Sequence, residues 1–158
     1  FPHIVAQISS TCYNLYNMLY FFRHFHLRTV SVTRTGMRGI FMDLNTILEL
    51  KGAGVDIDGA LRRFSGNSAL YEKFLKKFLT DSTFSQITKA FEGENREDAL
   101  MATHTFKGVT ANLGMDKLFN ISSFMVDHIR ADRFDEAAEA YPELEEAYKE
   151  ICRILAND

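Results

Sequence analysis

The feature that most constrains this chain is a helical repeat of apolar residues that begins near Met42 and continues almost to the C-terminus. Apolar residues recur at the i, i+3, i+4 spacing that places them on one side of an α-helix. No long run after Met42 alternates with the period of a β-strand. With only 9 Gly and 2 Pro, the chain has few interruptions. The pattern predicts an all-α fold, an antiparallel four-helix bundle with a short N-terminal helix or helices.

Glycines and capping residues divide this region into segments. Two short helices are predicted before Gly66, one ending at Gly52 or Gly54 and one capped by Asp56 or Asp58. Longer helices are predicted at about 68–79, 82–93, 96–113, 116–130 and 134–155. Pro142 should kink or restart the last of these, because proline lacks the N–H that an interior helical position donates.

The first 41 residues differ in composition from the rest. Residues 1–42 contain four Arg and no Asp or Glu, whereas the chain from Asp43 onward has 14 Lys and Arg against 21 acids, a formal charge of −7. We interpret 42–158 as the domain and 1–41 as an N-terminal extension. The extension is a mis-assigned start, a remnant of the expression vector, or an added helix over residues 4–27. The first two are slightly favoured and the sequence leaves all three open.

Composition argues against several functional classes. Cys12 and Cys152 form no pair or cluster, so neither a disulfide framework nor a zinc site is expected, and a cytoplasmic location is the default. A formal charge of −3 argues against nucleic acid as the main partner. Polar residues interrupt the apolar stretch 4–22, so no membrane anchor is expected.

The predicted helix 96–113 has two unlike faces. If Phe106 marks the centre of one face, its small and apolar neighbours lie within roughly 60° of it. These neighbours are Ala99, Ala102, Thr103, Val109, Thr110 and Leu113. His104 lies roughly 160° away. We therefore expect the Phe106 face to be buried and the His104 ring to point to solvent.

The residues around His104 suit phosphoryl chemistry. A neutral imidazole is a good nucleophile near pH 7. Lys107 at i+3 can pair with an added phosphoryl group, and Gly108 at i+4 leaves the approach to the ring open. Leu100, Met101 and Ala111 give a partner protein an apolar surface to cover. A metal site is disfavoured, because the i+4 and i−4 positions hold Gly108 and Leu100.

The run His104-Thr-Phe-Lys107-Gly108, followed by Ala-Asn-Leu-Gly114, resembles the signature of the histidine-containing phosphotransfer (HPt) family. The upstream segment 61–75 is similar to the lead-in segment of the same family. The resemblance covers about residues 43–155.

The resemblance implies a four-helix bundle that relays phosphoryl groups between receiver-domain aspartates. It makes His104 the phosphoacceptor, Lys107 the charge partner and Gly108 the access residue. Its implied partners are response-regulator receiver domains and a hybrid histidine kinase; the receiver supplies Mg²⁺, so no cofactor is expected here. Such a module is a monomeric phosphocarrier rather than an enzyme in its own right, and this chain has no Gly-rich ATP-binding motif. The alternative is a helical adaptor that binds signalling partners without phosphotransfer.

Two departures from the family pattern stand out. The helix after the signature reads Phe124-Met-Val-Asp127 where the family often has a Leu-Glu pair, and Phe106 is bulkier than the usual Leu. Both are expected to alter core packing or partner preference. His128 is interpreted as a partly buried packing residue rather than a second acceptor. The acidic cluster before the signature helix is interpreted as a solvated helix start; it consists of Glu92, Glu94, Glu97 and Asp98.

Overall fold

The structure, a computed structural model, describes residues 42–157. All regular secondary structure in this range is helical. The helices are α1 (Leu44–Gly52), α2 (Ile57–Arg63), α3 (Ser68–Phe78), α4 (Thr83–Glu92), α5 (Arg96–Leu113), α6 (Asp116–Arg130), α7 (Phe134–Glu139) and α8 (Tyr141–Ala156). Extended pairing within 42–157 is limited to a single antiparallel bridge between Val55 and Met115. The predicted all-α fold is confirmed for this part of the chain.

Local side chains account for several helix boundaries. Asp56, Asn67 and Asn95 each precede a helix and accept a hydrogen bond from a backbone N–H of its first turn, at 2.9, 2.9 and 3.1 Å. α6 lacks such a cap, because Asp116 is its first helical residue and the preceding Met115 provides no side-chain hydrogen bond. Pro142 lies in the first turn of α8, so the predicted restart of the last helix is correct.

The core is rich in aromatic rings that join α3, α4, α5 and α8, and Phe78 of α3 lies 6.0 Å from Phe106 of α5 between ring centroids. Phe106 of α5 lies 5.7 Å from Phe84 of α4 and 6.0 Å from Tyr148 of α8, measured between ring centroids. Phe84 and Tyr148 stack on each other at 3.9 Å. On the other side of α5, α6 packs along most of the helix and also contacts α8. α5 is therefore held on three sides, and one strip of it faces outward.

The C-terminal end of α5 is fixed by hydrogen bonds from two earlier elements, the start of α2 and the helix α3. The backbone N–H of Asp56 donates to the carbonyl oxygen of Gly114 at 2.7 Å, and the Tyr71 hydroxyl donates to the carbonyl oxygen of Leu113 at 2.9 Å. At the other end of α5, Arg96 forms an ion pair with Asp132, which follows α6. α5 and α6 therefore run in opposite directions, with Gly114 at their tight connection.

The interpretations that concern residues 1–41, including the proposed extension and added helix, fall outside the described residues. None of the helices described is both long enough and apolar enough to cross a membrane.

Candidate functional site

The two faces of α5 differ as its periodicity predicts. Phe106 is 1 % exposed, and five of its six predicted neighbours are also buried: Ala99, Ala102, Thr103, Thr110 and Leu113. Val109, the sixth, is half-buried and packs at the edge of the core. The predicted buried stripe is confirmed, and it fixes how α5 is rotated against its neighbours. That rotation places the opposite strip, which contains His104, on the outer side of the helix.

The His104 ring lies outside the core cluster but is half-buried rather than fully exposed. No residue in 42–157 makes a hydrogen bond or an ion pair with the ring. Neither ring nitrogen is therefore occupied by the part of the chain that the structure describes. A neutral imidazole in this setting keeps one nitrogen lone pair free for an incoming group.

Two cations act on this ring. Partial burial, and then the charges of Lys107 and Arg130, lower the pKa of His104 below its ordinary value of 6.5. Lys107 is half-buried one turn along α5, and Arg130 is exposed at the end of α6. Neither cation forms an ion pair with the residues described. The arrangement keeps the imidazole neutral at pH 7 and holds positive charge beside it.

Arg130 is the residue of this site that the sequence did not reveal. It lies on a different helix from His104, and no local spacing connects the two. Only the antiparallel packing of α6 against α5 brings its guanidinium close enough to act on the imidazole. A basic residue in the last turn of α6 has an ordinary explanation in the helix dipole, so the sequence alone gave no reason to select it.

Gly108 has no packing partner inside the molecule. A Cβ atom built on it would meet nothing within 4 Å, and its backbone is helical with no positive φ. Glycine in a helix interior costs about 0.5–1 kcal/mol relative to alanine. Since neither space nor backbone conformation within the described residues requires glycine, the open volume beside His104 is its main structural consequence.

Apolar side chains border the His104 ring as expected. Met101 is 63 % exposed, and Leu100 and Ala111 are half-buried. Large exposed apolar side chains are uncommon in the middle of a solvated helix face, and they offer a partner something to bury. The structure therefore brings together on one strip all six residues that the sequence selected: His104, Lys107, Gly108, Leu100, Met101 and Ala111.

His128 is a packing residue, as predicted. Its side chain is 14 % exposed, its ring lies 3.7 Å from that of Phe124, and its Nδ1 is 2.8 Å from the Phe124 carbonyl oxygen. Its Nε2 lies 3.3 Å from a Glu136 carboxylate oxygen on α7. Nδ1 is therefore engaged by a backbone carbonyl and Nε2 faces a carboxylate, whereas neither ring nitrogen of His104 has a partner among the described residues.

The acidic cluster at the start of α5, in which Glu97 and Asp98 belong to the first helical turn, is exposed, in agreement with a solvated helix start. Within residues 42–157, no three His, Cys, Asp or Glu side chains are grouped so that they could hold a metal ion.

The two departures from the family pattern have different structural roles. Phe106 fills the centre of the aromatic core. In the Phe124–Asp127 run, Met125 and Val126 are fully buried, whereas Phe124 is 44 % exposed. The first departure therefore concerns packing, and the second adds an aromatic ring to the surface.

No protein-family model, curated protein or solved structure matches this chain.

Proposed function

We propose that the protein is a histidine phosphotransfer protein that relays phosphoryl groups between receiver-domain aspartates through His104. The observation that carries the proposal is the setting of the ring: it is half-buried, unpaired among the described residues, within the electrostatic influence of Lys107 and Arg130, and next to a glycine that internal packing does not require. The signature residues quoted above support membership of the HPt family.

The proposed chemistry needs little from this chain beyond a nucleophile and positive charge. A ring nitrogen of His104 forms a bond to phosphorus as the bond from phosphorus to the receiver aspartate breaks. The aspartate leaves as a carboxylate, and the imidazole releases its ring proton to solvent. Lys107 and Arg130 then balance the charge of the phosphoryl group. Transfer to the next receiver reverses these steps, and the receiver provides Mg²⁺ and the aspartate.

The proposed architecture is an antiparallel four-helix bundle made of α4, α5, α6 and α8. The contacts of α5 with α4 and α6, of α6 with α8, and the stacking of Phe84 on Tyr148 support a closed ring of four helices. The remaining helices, α1–α3 and α7, lie outside this ring, and Phe78 of α3 packs against its aromatic core. In this arrangement His104 sits on an outward strip that a receiver domain, free or part of a hybrid histidine kinase, can reach. We expect the protein to act as a monomer.

The proposal is tested by incubating the protein with purified receiver domains that carry ³²P-labelled phosphoryl-aspartate. Wild-type protein should acquire an acid-labile, base-stable label, and His104→Gln should acquire none. His128→Gln is the matched control, because His128 is the other histidine of the described region and should leave labelling intact. Equal labelling of wild type and His104→Gln would refute the proposal. Receiver binding without any label would favour the adaptor function.

Lys107 is tested by the same assay. Lys107→Ala should slow transfer or shorten the lifetime of the phospho-form, because it removes a charge beside the phosphoryl group. Its circular dichroism spectrum and unfolding midpoint should match those of wild type, since the side chain is only half-buried and has no ion-pair partner among residues 42–157. Unchanged transfer kinetics would remove the role assigned to Lys107.

A further inference from the structure

A groove of about 450 Å³ lies between α6, α7 and α8, on a part of the surface that the proposed phosphotransfer does not use. Its apolar floor is formed by Ile121, Phe124 and Ala140. Carboxylates line the rim, from Glu136 and Glu139 of α7 and Glu143 of α8. The groove therefore combines an aromatic floor with a negatively charged edge.

The aromatic ring in this groove is both exposed and held in place. Phe124 is 44 % exposed, which leaves apolar surface in water that a ligand could cover. His128 packs against the ring at 3.7 Å, and its Nδ1 lies 2.8 Å from the Phe124 carbonyl oxygen. The ring is therefore positioned before a ligand arrives, which reduces the entropy lost on binding.

The rim has more negative charge than its own neighbours neutralise. Glu136 lies near Arg133 at 3.4 Å and His128 at 3.3 Å. Glu139 and Glu143 are exposed and form no ion pair with the residues described. Two uncompensated carboxylates beside an exposed aromatic ring are complementary to a ligand that combines cationic and apolar groups.

The groove and the His104 strip lie on different sides of α6. Arg130, the α6 residue that acts on His104, is separated from Phe124 by roughly 120° around the helix axis. No residue of α5 lines the groove. A ligand in the groove would therefore leave the His104 strip open, and two partners could bind at the same time.

We propose that this groove docks a basic segment of a partner protein, with an aromatic or aliphatic side chain against Phe124 and Lys or Arg side chains beside Glu139 and Glu143. Such a segment would tether the protein to a second partner while His104 stays accessible to a receiver. We infer a basic segment from charge complementarity. An acidic or purely apolar segment would leave the rim carboxylates unpaired or desolvated.

Selection from a random peptide phage library against the wild-type protein tests this proposal. The enriched peptides should contain Lys or Arg within about one helical turn of an aromatic or aliphatic residue. Their affinity, measured by fluorescence anisotropy, should fall as NaCl is raised from low to high concentration, as expected for exposed charge pairs. Enrichment of acidic or uncharged peptides would overturn the proposal.

Substitutions in the groove test whether the selected peptides bind there. Glu139→Gln/Glu143→Gln should weaken binding of the selected peptides about threefold to tenfold, because two exposed charge pairs are lost. Phe124→Ala should weaken it at least about tenfold, because the anchor is removed. Glu92→Gln/Glu94→Gln removes the same charge at the exposed end of α4 and should have no effect. Equal effects of the two double variants would overturn the proposal, and this comparison does not depend on the stability of Phe124→Ala.

The remaining outcomes separate this inference from the phosphotransfer function. His104→Gln should keep full peptide affinity, and saturating peptide should leave ³²P transfer from a receiver unchanged. Peptides that compete with the receiver, or that lose affinity for His104→Gln, would place the docking site on the His104 strip. This result would refute the groove as docking site and leave the phosphotransfer proposal intact.

Self-association of the protein, measured by sedimentation equilibrium, tests a different occupant. If it occurs and is lost in Glu139→Gln/Glu143→Gln, a second copy of the chain occupies the groove, and the partner proposed here is overturned.

Discussion

Gly108 and Gly114 occupy the same stretch of chain, yet the fold imposes opposite demands on them. Gly114 ends α5 with a φ of 73°, and a Cβ atom there would lie 2.4 Å from the Asp56 carbonyl oxygen. Gly108 has a helical backbone, and a Cβ atom there would meet nothing within 4 Å. The fold requires the first glycine and does not require the second. This contrast supports the access role that we propose for Gly108.

Replacing Gly114 should have the largest effect on stability. Gly114→Ala forces a left-handed backbone on a residue with a Cβ and pushes that atom into a backbone carbonyl that cannot rotate away. We expect a loss of about 2–4 kcal/mol in the free energy of unfolding, measured by urea denaturation. Phosphotransfer should fall only in proportion to the unfolded fraction. A variant as stable as wild type would show that the α5–α6 connection is not constrained as described.

The hydroxyl of Tyr71 supports the same connection and gives a second, smaller test. Tyr71 is 2 % exposed, and its hydroxyl donates to the Leu113 carbonyl oxygen at 2.9 Å. Burial raises the pKa of this phenol well above its usual range, so the hydroxyl stays protonated and available as a donor. Tyr71→Phe should cost about 1–2 kcal/mol in urea denaturation, because the buried carbonyl loses its donor. If Tyr71→Phe is as stable as wild type, a water molecule donates to the Leu113 carbonyl oxygen in place of the hydroxyl.

Gly108→Ala should change stability and activity in opposite directions. The added methyl group meets nothing inside the described structure, so helix propensity should stabilise the protein by about 0.5–1 kcal/mol. The same methyl group occupies the open volume beside His104, so ³²P transfer from a receiver should slow. Thermal unfolding and single-turnover transfer measure the two effects. If transfer proceeds at the wild-type rate, Gly108 has no access role and the contrast with Gly114 loses its functional meaning.

Arg130→Gln should affect stability least and act mainly on the titration of His104. Removing this charge should raise the pKa of His104 toward its ordinary value, as seen in the ring-proton NMR resonances. Because the pKa of His104 is lower in the folded than in the unfolded protein, the unfolded state is protonated first as the pH falls. The resulting loss of stability develops as pH falls from about 6.5 through the folded pKa and is smaller in the variant. Arg62→Gln removes a comparable exposed charge and should leave the titration midpoint of His104 unchanged. Equal shifts of this midpoint in the two variants would exclude a specific role for Arg130.

Local sequence patterns predicted most of the secondary structure and one part of the site. The i, i+3, i+4 repeat around Phe106 gave the rotation of α5, and with it the outward position of His104 relative to Lys107 and Gly108. Prediction succeeded there because these residues share one helix, whose geometry fixes their relative directions. The degree of exposure was predicted less accurately, because the ring was expected to point to solvent and His104 is half-buried.

The sequence by itself determined the helices, the cap at Asp56 and the two faces of α5, since each depends on contacts within a few residues. Only the tertiary structure decided which distant groups meet: the charge of Arg130 at His104, the Asp56 carbonyl against Gly114, and the exposed ring of Phe124 between α6 and α7. These depend on how whole helices pack and in which register. A periodic apolar stripe predicts which side of a helix is buried, but it does not predict which other helix packs against that side.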